Sequence, residues 1–320
     1  MEEFKKEVYE EANENIQFQM KWALREKDYK LAYECAQKLS AISFMKHKDD
    51  ILNCIEECAD AGMIDAAVWM MDWYIAKGTG KMVPEAFPFL KLLAEAGYVR
   101  SFRWMADCYY FGIGCVRDEK MAARYYLEGF LFDRDEICGK RCRELYPRNE
   151  EDGEDHPIKA LIRELILGEN EDMARERIAS LILDGVIADY EPQTAVFLLK
   201  LCHDGMWEVF GMSAFKLAEC FVNGVGTEKN LFLALYFLEM ATDELNYMPI
   251  KGDEEWQEEY ANTLYAEVNF QAAYQAAEKM RREVMEEIRQ RYLYFDRNEI
   301  YDVYEEWREK KEEFISRKRA

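Results

Sequence analysis

One short pattern occurs twice in this 320-residue sequence: a Gly-x-Gly that follows a run of apolar residues at helical spacing. It stands at Gly112 and Gly114, and again 112 residues further on at Gly224 and Gly226. The flanking residues agree without gaps, and the agreeing pairs are Met105 with Leu217, Ala106 with Ala218, Cys108 with Cys220, Tyr109 with Phe221, Asp118 with Asn230, Ala122 with Ala234 and Tyr125 with Phe237. Such self-similarity predicts a repeated helical unit.

The Gly-x-Gly pattern also occurs in phosphate-binding loops, so its surroundings decide the interpretation. A dinucleotide-binding loop has a strand before the glycines, a helix that begins on them and a third glycine. Here the helical spacing precedes the glycines, so a helix ends at them and presents carbonyl groups, the negative end of its dipole. A phosphate is disfavoured there. We therefore interpret the pattern as the turn between two antiparallel helices of one repeat.

Two looser copies extend the repeated region. Residues 67–96 include Gly78 and Gly80, which lie 34 residues before Gly112 and Gly114. Residues 174–205 include Gly185, but Ile187 replaces the second glycine. Apolar residues follow helical spacing nearly everywhere, and no alternating run bounded by turn residues indicates a strand. The sequence thus predicts an all-α fold of helices joined by short turns.

These features resemble the Sel-one-like repeat, a helix-turn-helix relative of the tetratricopeptide repeat, and residues 101–130 and 213–241 keep the motif best. The resemblance implies a right-handed α-α superhelix, a solenoid of helix-turn-helix repeats. It also implies an intracellular scaffold or adaptor that binds a protein or peptide on the concave face. We expect N-terminal helices over 1–49, the repeats over 50–245 and a helical C-terminal cap over 246–320.

In tetratricopeptide-like geometry the first helix of each repeat lines the concave face. Residues between the inward-packing motif positions should then face the groove, and aromatic and charged side chains there have the composition of binding hot spots. An alternative is that they pack on neighbouring helices or on the C-terminal segment. The candidate partner-binding residues are Trp69, Trp73, Arg103, Asp107, Tyr110, Glu176, Ser180, Phe215 and Glu219.

The C-terminal segment carries an apolar stripe at helical spacing, which includes Ile300, Val303, Tyr304 and Trp307. An open helical array leaves an apolar end exposed, so the stripe is expected to seal the final repeat. The alternative is that it pairs with a second chain. We expect a monomer or a weak homo-oligomer.

Several short patterns in the sequence partly match motifs of catalytic or ligand-binding sites. Cys54 with Cys58 and Cys138 with Cys142 lie four residues apart, but no histidine accompanies them, so we expect packing residues rather than zinc ligands. Ser43 and Lys46 match a Ser-x-x-Lys hydrolase, without its partner motifs. In residues 78–82, Met82 stands where a phosphate-binding loop needs Ser or Thr. In the acidic segment 148–156 and just beyond it, Arg148 and Lys159 stand at the first and last ligand positions of a calcium loop. We predict no enzyme, cofactor or metal.

Charge and composition restrict the partners. The sequence has 42 basic and 64 acidic residues, a net charge of −22. That charge repels phosphate backbones and anionic membrane surfaces, so we expect neither nucleic acid nor membrane as a partner. The N-terminus lacks the apolar core of a signal peptide, which predicts a cytoplasmic protein with reduced cysteines. An acidic mimic that inhibits a nucleic-acid-binding protein is the main alternative function.

Overall fold

The computed structural model describes residues 2–77, 83–145, 157–167, 171–203, 211–259, 268–292, 296–310 and 313–316. Within these ranges the structure is helical and contains no extended strand, so the predicted all-α repeat fold is confirmed. The helices are α1 (Glu2–Arg25), α2 (Tyr29–Asp60), α3 (Ile64–Lys77), α4 (Phe87–Glu95), α5 (Val99–Phe111), α6 (Glu119–Asp133), α7 (Glu136–Leu145), α8 (Pro157–Leu167), α9 (Glu171–Leu183), α10 (Pro192–His203), α11 (Gly211–Asn223), α12 (Leu231–Asn246), α13 (Glu254–Glu259), α14 (Phe270–Arg291) and α15 (Arg297–Glu309).

The chain forms two compact units, Met1–Gly129 and Phe130–Ala320, here called unit 1 and unit 2. In unit 1 each helix from α1 to α5 packs against the next one along the chain. In unit 2 the same sequential packing runs from α7 to α12, and α12 also packs against α14 and α15. Packing between sequence neighbours is the arrangement expected of helical repeats.

Helix α2 consists of two arms. Its backbone leaves helical geometry at Ser43, where φ is −150° and ψ is 47°, and again at His47, where φ is −119°. The thiol of Cys58 in the second arm donates to the carbonyl oxygen of Tyr29 at the start of the first, at 3.5 Å. The two arms are therefore antiparallel, and they form a helical hairpin of their own.

The first glycine of each pattern ends a helix. Gly112 follows α5 with φ of 70°, and Gly224 follows α11 with φ of 69°, a left-handed conformation that glycine adopts without steric cost. The next helix then begins with a side-chain cap. The carboxylate of Asp118 accepts from the backbone N–H groups of Lys120 and Met121, both at 3.0 Å. Asn230 caps α12 in the same way.

The second glycine of each pattern contacts the preceding repeat. A Cβ atom on Gly226 would lie 2.5 Å from the carbonyl oxygen of Pro192, at the first residue of α10. A Cβ atom on Gly114 would lie 2.6 Å from the carbonyl oxygen of Pro84, which begins the short 3₁₀ helix before α4. Sequence reasoning assigned both glycines to the turn itself. The structure shows that the second one also permits close packing between repeats.

The equivalent aromatic pairs of the two best repeats have the same geometry. The rings of Tyr109 and Tyr125 stack with centroids 6.0 Å apart and planes 5° from parallel. The rings of Phe221 and Phe237 stack at 5.9 Å and 2°. Each pair joins the two helices of one repeat, so the sequence equivalence extends to the packing of the core.

A buried arginine ties α9 to the end of α6 within unit 2. Arg175 is fully buried, and its guanidinium donates to the carbonyl oxygens of Phe130 and Leu131, both at 3.1 Å. It also lies 3.1 Å from a carboxylate oxygen of Glu171 and 3.2 Å from one of Asp172. A buried charge is costly unless it is paired and hydrogen-bonded, and these contacts meet that requirement.

The C-terminal helices cover the last repeat of unit 2. Ile300 and Tyr304 of α15 are buried, and Val303 and Trp307 are half-buried. The ring of Tyr304 stacks on that of Tyr236 in α12, with centroids 3.9 Å apart. The apolar stripe thus packs on the chain's own repeat, as the capping prediction requires.

The three-segment division of the chain stays a prediction, and the boundary expected at residue 49 falls within the second arm of α2. Two segments that the sequence analysis discusses lie outside the described residues. They are 78–82, which includes the turn with Gly78 and Gly80, and the acidic segment 148–156.

Candidate partner-binding surfaces

Two of the candidate residues lie in an aromatic cluster of unit 1. The indole rings of Trp69 and Trp73 on α3 stack with centroids 6.0 Å apart and planes 13° from parallel. The ring of Phe44 contacts Trp73 edge-on at 5.2 Å. The ammonium group of Lys48 lies 5.5 Å from the Trp73 centroid, within the range of a cation–π interaction. Both tryptophans are half-buried, so one side of the cluster remains open to solvent.

The sequence did not predict that Phe44 and Lys48 join this cluster. Phe44 lies within the bend of α2, between the non-helical residues Ser43 and His47, and Lys48 directly follows His47. Residues 28–61 could form a further repeat of two helical stretches, but the segment 29–60 contains neither proline nor glycine to mark where the first stretch ends. The position of the bend is therefore a feature that only the structure shows.

The other three candidates in unit 1 lie along α5 and are half-buried. The guanidinium of Arg103 stacks over the ring of Trp104 at 4.6 Å. A carboxylate oxygen of Asp107 accepts from the hydroxyl of Tyr126 at 2.5 Å, so Asp107 also has a structural role. Tyr110 has the guanidinium of Arg117 5.7 Å from its ring centroid. The neighbouring Phe111 is 56% exposed, an accessible apolar side chain beside these groups.

An ion pair links the two groups of candidates. A carboxylate oxygen of Asp72 on α3 lies 3.7 Å from a guanidinium nitrogen of Arg100 on α5. Asp72 is adjacent to Trp73, and Arg100 is one helical turn before Arg103. The first helices of two successive repeats therefore present their candidate residues side by side. We call Trp69, Trp73, Arg103, Asp107 and Tyr110 the unit 1 surface.

The structure corrects the prediction for unit 2. Glu176, Ser180 and Phe215 were expected to face a groove, but they are 1%, 4% and 7% exposed. The hydroxyl of Ser180 donates to a carboxylate oxygen of Glu176 at 3.2 Å, so these polar groups meet inside the packed helices. Glu219 is half-buried and pairs with Lys216 at 3.1 Å. The alternative interpretation, packing between helices, is correct for the three buried residues.

A different surface of unit 2 holds a linear segment of the same chain. Lys200 on α10 is buried, and its ammonium group donates to the carbonyl oxygens of Trp307, at 2.7 Å, and Lys310 at the end of α15. The Trp307 ring packs edge-on against Phe221 at 5.8 Å and Phe237 at 5.2 Å. We call the surface of α10, α11 and α12 that receives this segment the unit 2 groove.

The extended residues after α15 continue along the same groove. The backbone N–H of Glu191 donates to the carbonyl oxygen of Ser316 at 2.8 Å. The hydroxyl of Thr194 donates to that oxygen at 2.7 Å and accepts from the N–H of Ser316 at 2.9 Å. Ile315 is buried. Sequence reasoning predicted the docking of α15 but gave no sign that residues 313–316 would follow it.

The Ser-x-x-Lys pattern does not form a catalytic pair. The Ser43 hydroxyl is buried without a hydrogen-bond partner in the described structure, whereas Lys46 is exposed. All nine cysteines are free thiols, eight of them buried and Cys115 half-buried. Burial raises the pKa of the Cys108, Cys142 and Cys220 thiols to about 12. No cluster of potential metal ligands occurs in the ranges that the structure describes.

None of the helices in the described ranges has both the length and the apolar composition of a membrane-spanning segment.

Fold and surfaces together define a helical-repeat protein. The family model of the Sel1 repeat matches residues 103–129 and 211–244, which are the two repeats that the sequence singled out. The chain thus contains Sel1 repeats, and the resemblance found in the sequence is confirmed. No curated protein matches the chain.

Two solved structures are similar over part of their length. One is a protective antigen present in uropathogenic Escherichia coli strains, which displays an SLR fold; it is 17% identical with a TM-score of 0.30, and the match covers 86% of this chain and 60% of that one. The other is a Sel1 repeat protein from Oxalobacter formigenes, 19% identical with a TM-score of 0.34, where the match covers 71% of this chain and 65% of that one. The chain thus spans less than two thirds of the length of either protein.

Proposed function

We propose that this protein is a scaffold or adaptor that binds a protein or peptide partner through the unit 1 surface. Sel1 repeat proteins generally mediate protein–protein interaction. The observation that carries the proposal is the open, stacked pair of Trp69 and Trp73 beside the arginines of α5. Tryptophan, tyrosine and arginine dominate binding hot spots because they bury large areas and lose little conformational entropy.

The charge of the chain guides the choice of partner. The net charge is −22, yet Lys48, Arg100 and Arg103 lie in or beside the unit 1 surface. A partner segment with apolar and acidic side chains would use both the aromatic cluster and the cations Lys48 and Arg103. We propose a cytoplasmic setting, in which the free thiols stay reduced.

The test is affinity capture with the full chain, followed by affinity measurement for the partner obtained. Trp73→Ala and Tyr110→Ala should each weaken binding by about tenfold or more, equivalent to about 1–2 kcal/mol. Trp22→Ala is the matched control, because Trp22 is an exposed tryptophan of unit 1 on α1, outside the surface. Tyr109→Ala should instead lower the melting temperature, since Tyr109 stacks within the repeat. Unchanged affinity in both surface variants would disprove the proposal.

A further inference from the structure

The unit 2 groove holds its segment mainly by main-chain recognition. The hydrogen bonds that join Lys200, Glu191 and Thr194 to the segment all involve backbone atoms of the segment, which accept in four bonds and donate in one, from the N–H of Ser316 to Thr194. Backbone groups are common to every sequence, so these bonds select a conformation, namely a helix end followed by an extended residue, rather than particular side chains. Recognition of linear motifs commonly combines such bonds with a few side-chain pockets.

Side-chain recognition uses one face of α15, where Ile300 is buried, and Arg297 at its start, which pairs with Glu239 on α12 at 3.1 Å. Tyr304 and Trp307 lie three residues apart on one face of α15 and pack on the aromatic rings of Tyr236, Phe221 and Phe237. Ile315 fills a buried position after the helix, whereas the preceding Phe314 is 43% exposed. A segment from another protein would fit the same groove with apolar or aromatic residues at the positions of Ile300, Tyr304 and Trp307 and a branched apolar residue after the helix.

The groove also contains polar groups that must have partners. Thr194 is fully buried and Lys200 is 4% exposed, and both donate to the docked segment. A buried donor without an acceptor loses its hydrogen bonds to water without a replacement, which destabilises the fold. An unpaired buried charge is more destabilising still. The filled groove is therefore more stable than the empty one, so release of the segment without a replacement is disfavoured.

We propose that the unit 2 groove is a docking site for a linear protein segment, and that residues 297–310 and 313–316 belong to its built-in occupant. The external segment has a short helix with two aromatic residues three positions apart, followed by an extended stretch with a branched apolar residue. The intramolecular segment competes at an effective concentration of about millimolar, so it masks the groove against weak partners. This site is separate from the unit 1 surface and does not depend on it.

The test uses a fluorescent synthetic peptide of residues 296–316 and the full chain. In the full-length double variant Tyr304→Ala, Trp307→Ala, the chain's own segment loses its aromatic contacts and the groove becomes available. Fluorescence anisotropy should then show peptide binding at least about tenfold tighter than to the wild-type chain. A peptide carrying the same two alanines should fail to compete. Adding Lys200→Met to the double variant should remove binding, because the helix-end carbonyls lose their donor.

A folded double variant that binds the peptide no better than wild type would overturn the proposal, since the segment would then be a fixed part of the fold. If the double variant does not fold, hydrogen exchange on the wild-type chain tests the proposal instead. Saturating peptide should accelerate exchange in residues 297–310 while α9 stays protected. Unchanged exchange in that segment would equally overturn the proposal.

Discussion

The ammonium group of Lys200 lies 2.7 Å from the carbonyl oxygen of Trp307 and 4.6 Å from the centroid of its indole ring. A buried cation thus sits at the C-terminal end of α15, where free carbonyl groups form the negative pole of the helix. The contact joins α10 to a residue 107 positions further along the chain. Lys200 thus holds the end of α15 through both a hydrogen bond and a ring contact.

Replacement of Lys200 by methionine should loosen α15. The variant keeps the aliphatic stem but leaves the carbonyl groups of Trp307 and Lys310 without their donor, which should cost about 1–3 kcal/mol of unfolding free energy. Denaturant unfolding and hydrogen exchange of residues 304–310 measure the effect. Lys229→Met is the control, because Lys229 forms an exposed pair with Glu287 and should change stability by about 0.5 kcal/mol or less. Equal effects of the two variants would contradict this role of Lys200.

Alanine variants of Gly226 and Gly185 distinguish the cost of backbone strain from the cost of disturbed packing between repeats. Both have positive φ, 71° and 72°, but a Cβ atom meets nothing within 4 Å at Gly185 and lies 2.5 Å from Pro192 at Gly226. Gly185→Ala should cost about 1–2 kcal/mol, the strain of a left-handed residue. Gly226→Ala should cost about 1–3 kcal/mol more, because the two repeats must move apart. Thermal denaturation of both variants tests the difference, and similar melting temperatures would disprove it.

His203 should make stability depend on pH below neutrality. Burial lowers its pKa from 6.5 to about 4, because the ring lies against Phe237 with the Ser213 hydroxyl 3.3 Å from Nε2. Above pH 6.5 the ring is neutral in both states and contributes no pH dependence. As the pH falls from 6.5 to 4, only the unfolded chain takes up the proton, so about 2–3 kcal/mol of stability is lost. The unfolding free energies of wild type and His203→Gln, measured with urea at each pH, should diverge in that interval. Parallel plots of unfolding free energy against pH would refute the assignment.

Cys115 should be the one thiol that reacts readily in the native protein. It is half-buried in the turn after α5, whereas the other eight cysteines are buried and their reaction requires local opening. A thiol reagent should label one equivalent quickly, and Cys115→Ser should abolish that phase. The denatured, unreduced chain should give nine equivalents, one for each cysteine. A fast phase that persists in Cys115→Ser would locate the reactive thiol elsewhere.

The repeats could be predicted because their signals are local. The left-handed turn at Gly112, the cap at Asp118 and the pairing of Tyr109 with Tyr125 each depend on residues within about twenty positions of one another. The 112-residue offset then repeats the same local arrangement at Gly224, Asn230 and Phe221. Periodicity and turn chemistry suffice for such features, because neighbouring helices pack in chain order.

The candidate surfaces were predictable only in part, because exposure depends on what else packs against a helix. The unit 1 residues remain accessible, but Glu176, Ser180 and Phe215 lie in equivalent helices and are buried. The bend at Ser43 brings Phe44 and Lys48 to the tryptophans without a proline or glycine to mark it. No local pattern distinguishes these cases.

The sequence by itself determined the helices, their turns and the repeated unit, since helical periodicity and glycine conformation act over a few residues. Only the tertiary structure decided which helix faces stay open and how the end of α15 and residues 313–316 are held. Lys200 and Thr194 show why: their partners are backbone atoms of Trp307, Lys310 and Ser316, and a backbone carbonyl carries no sequence signature. A contact between a buried side chain and a distant main chain becomes visible only when the two are placed together in space.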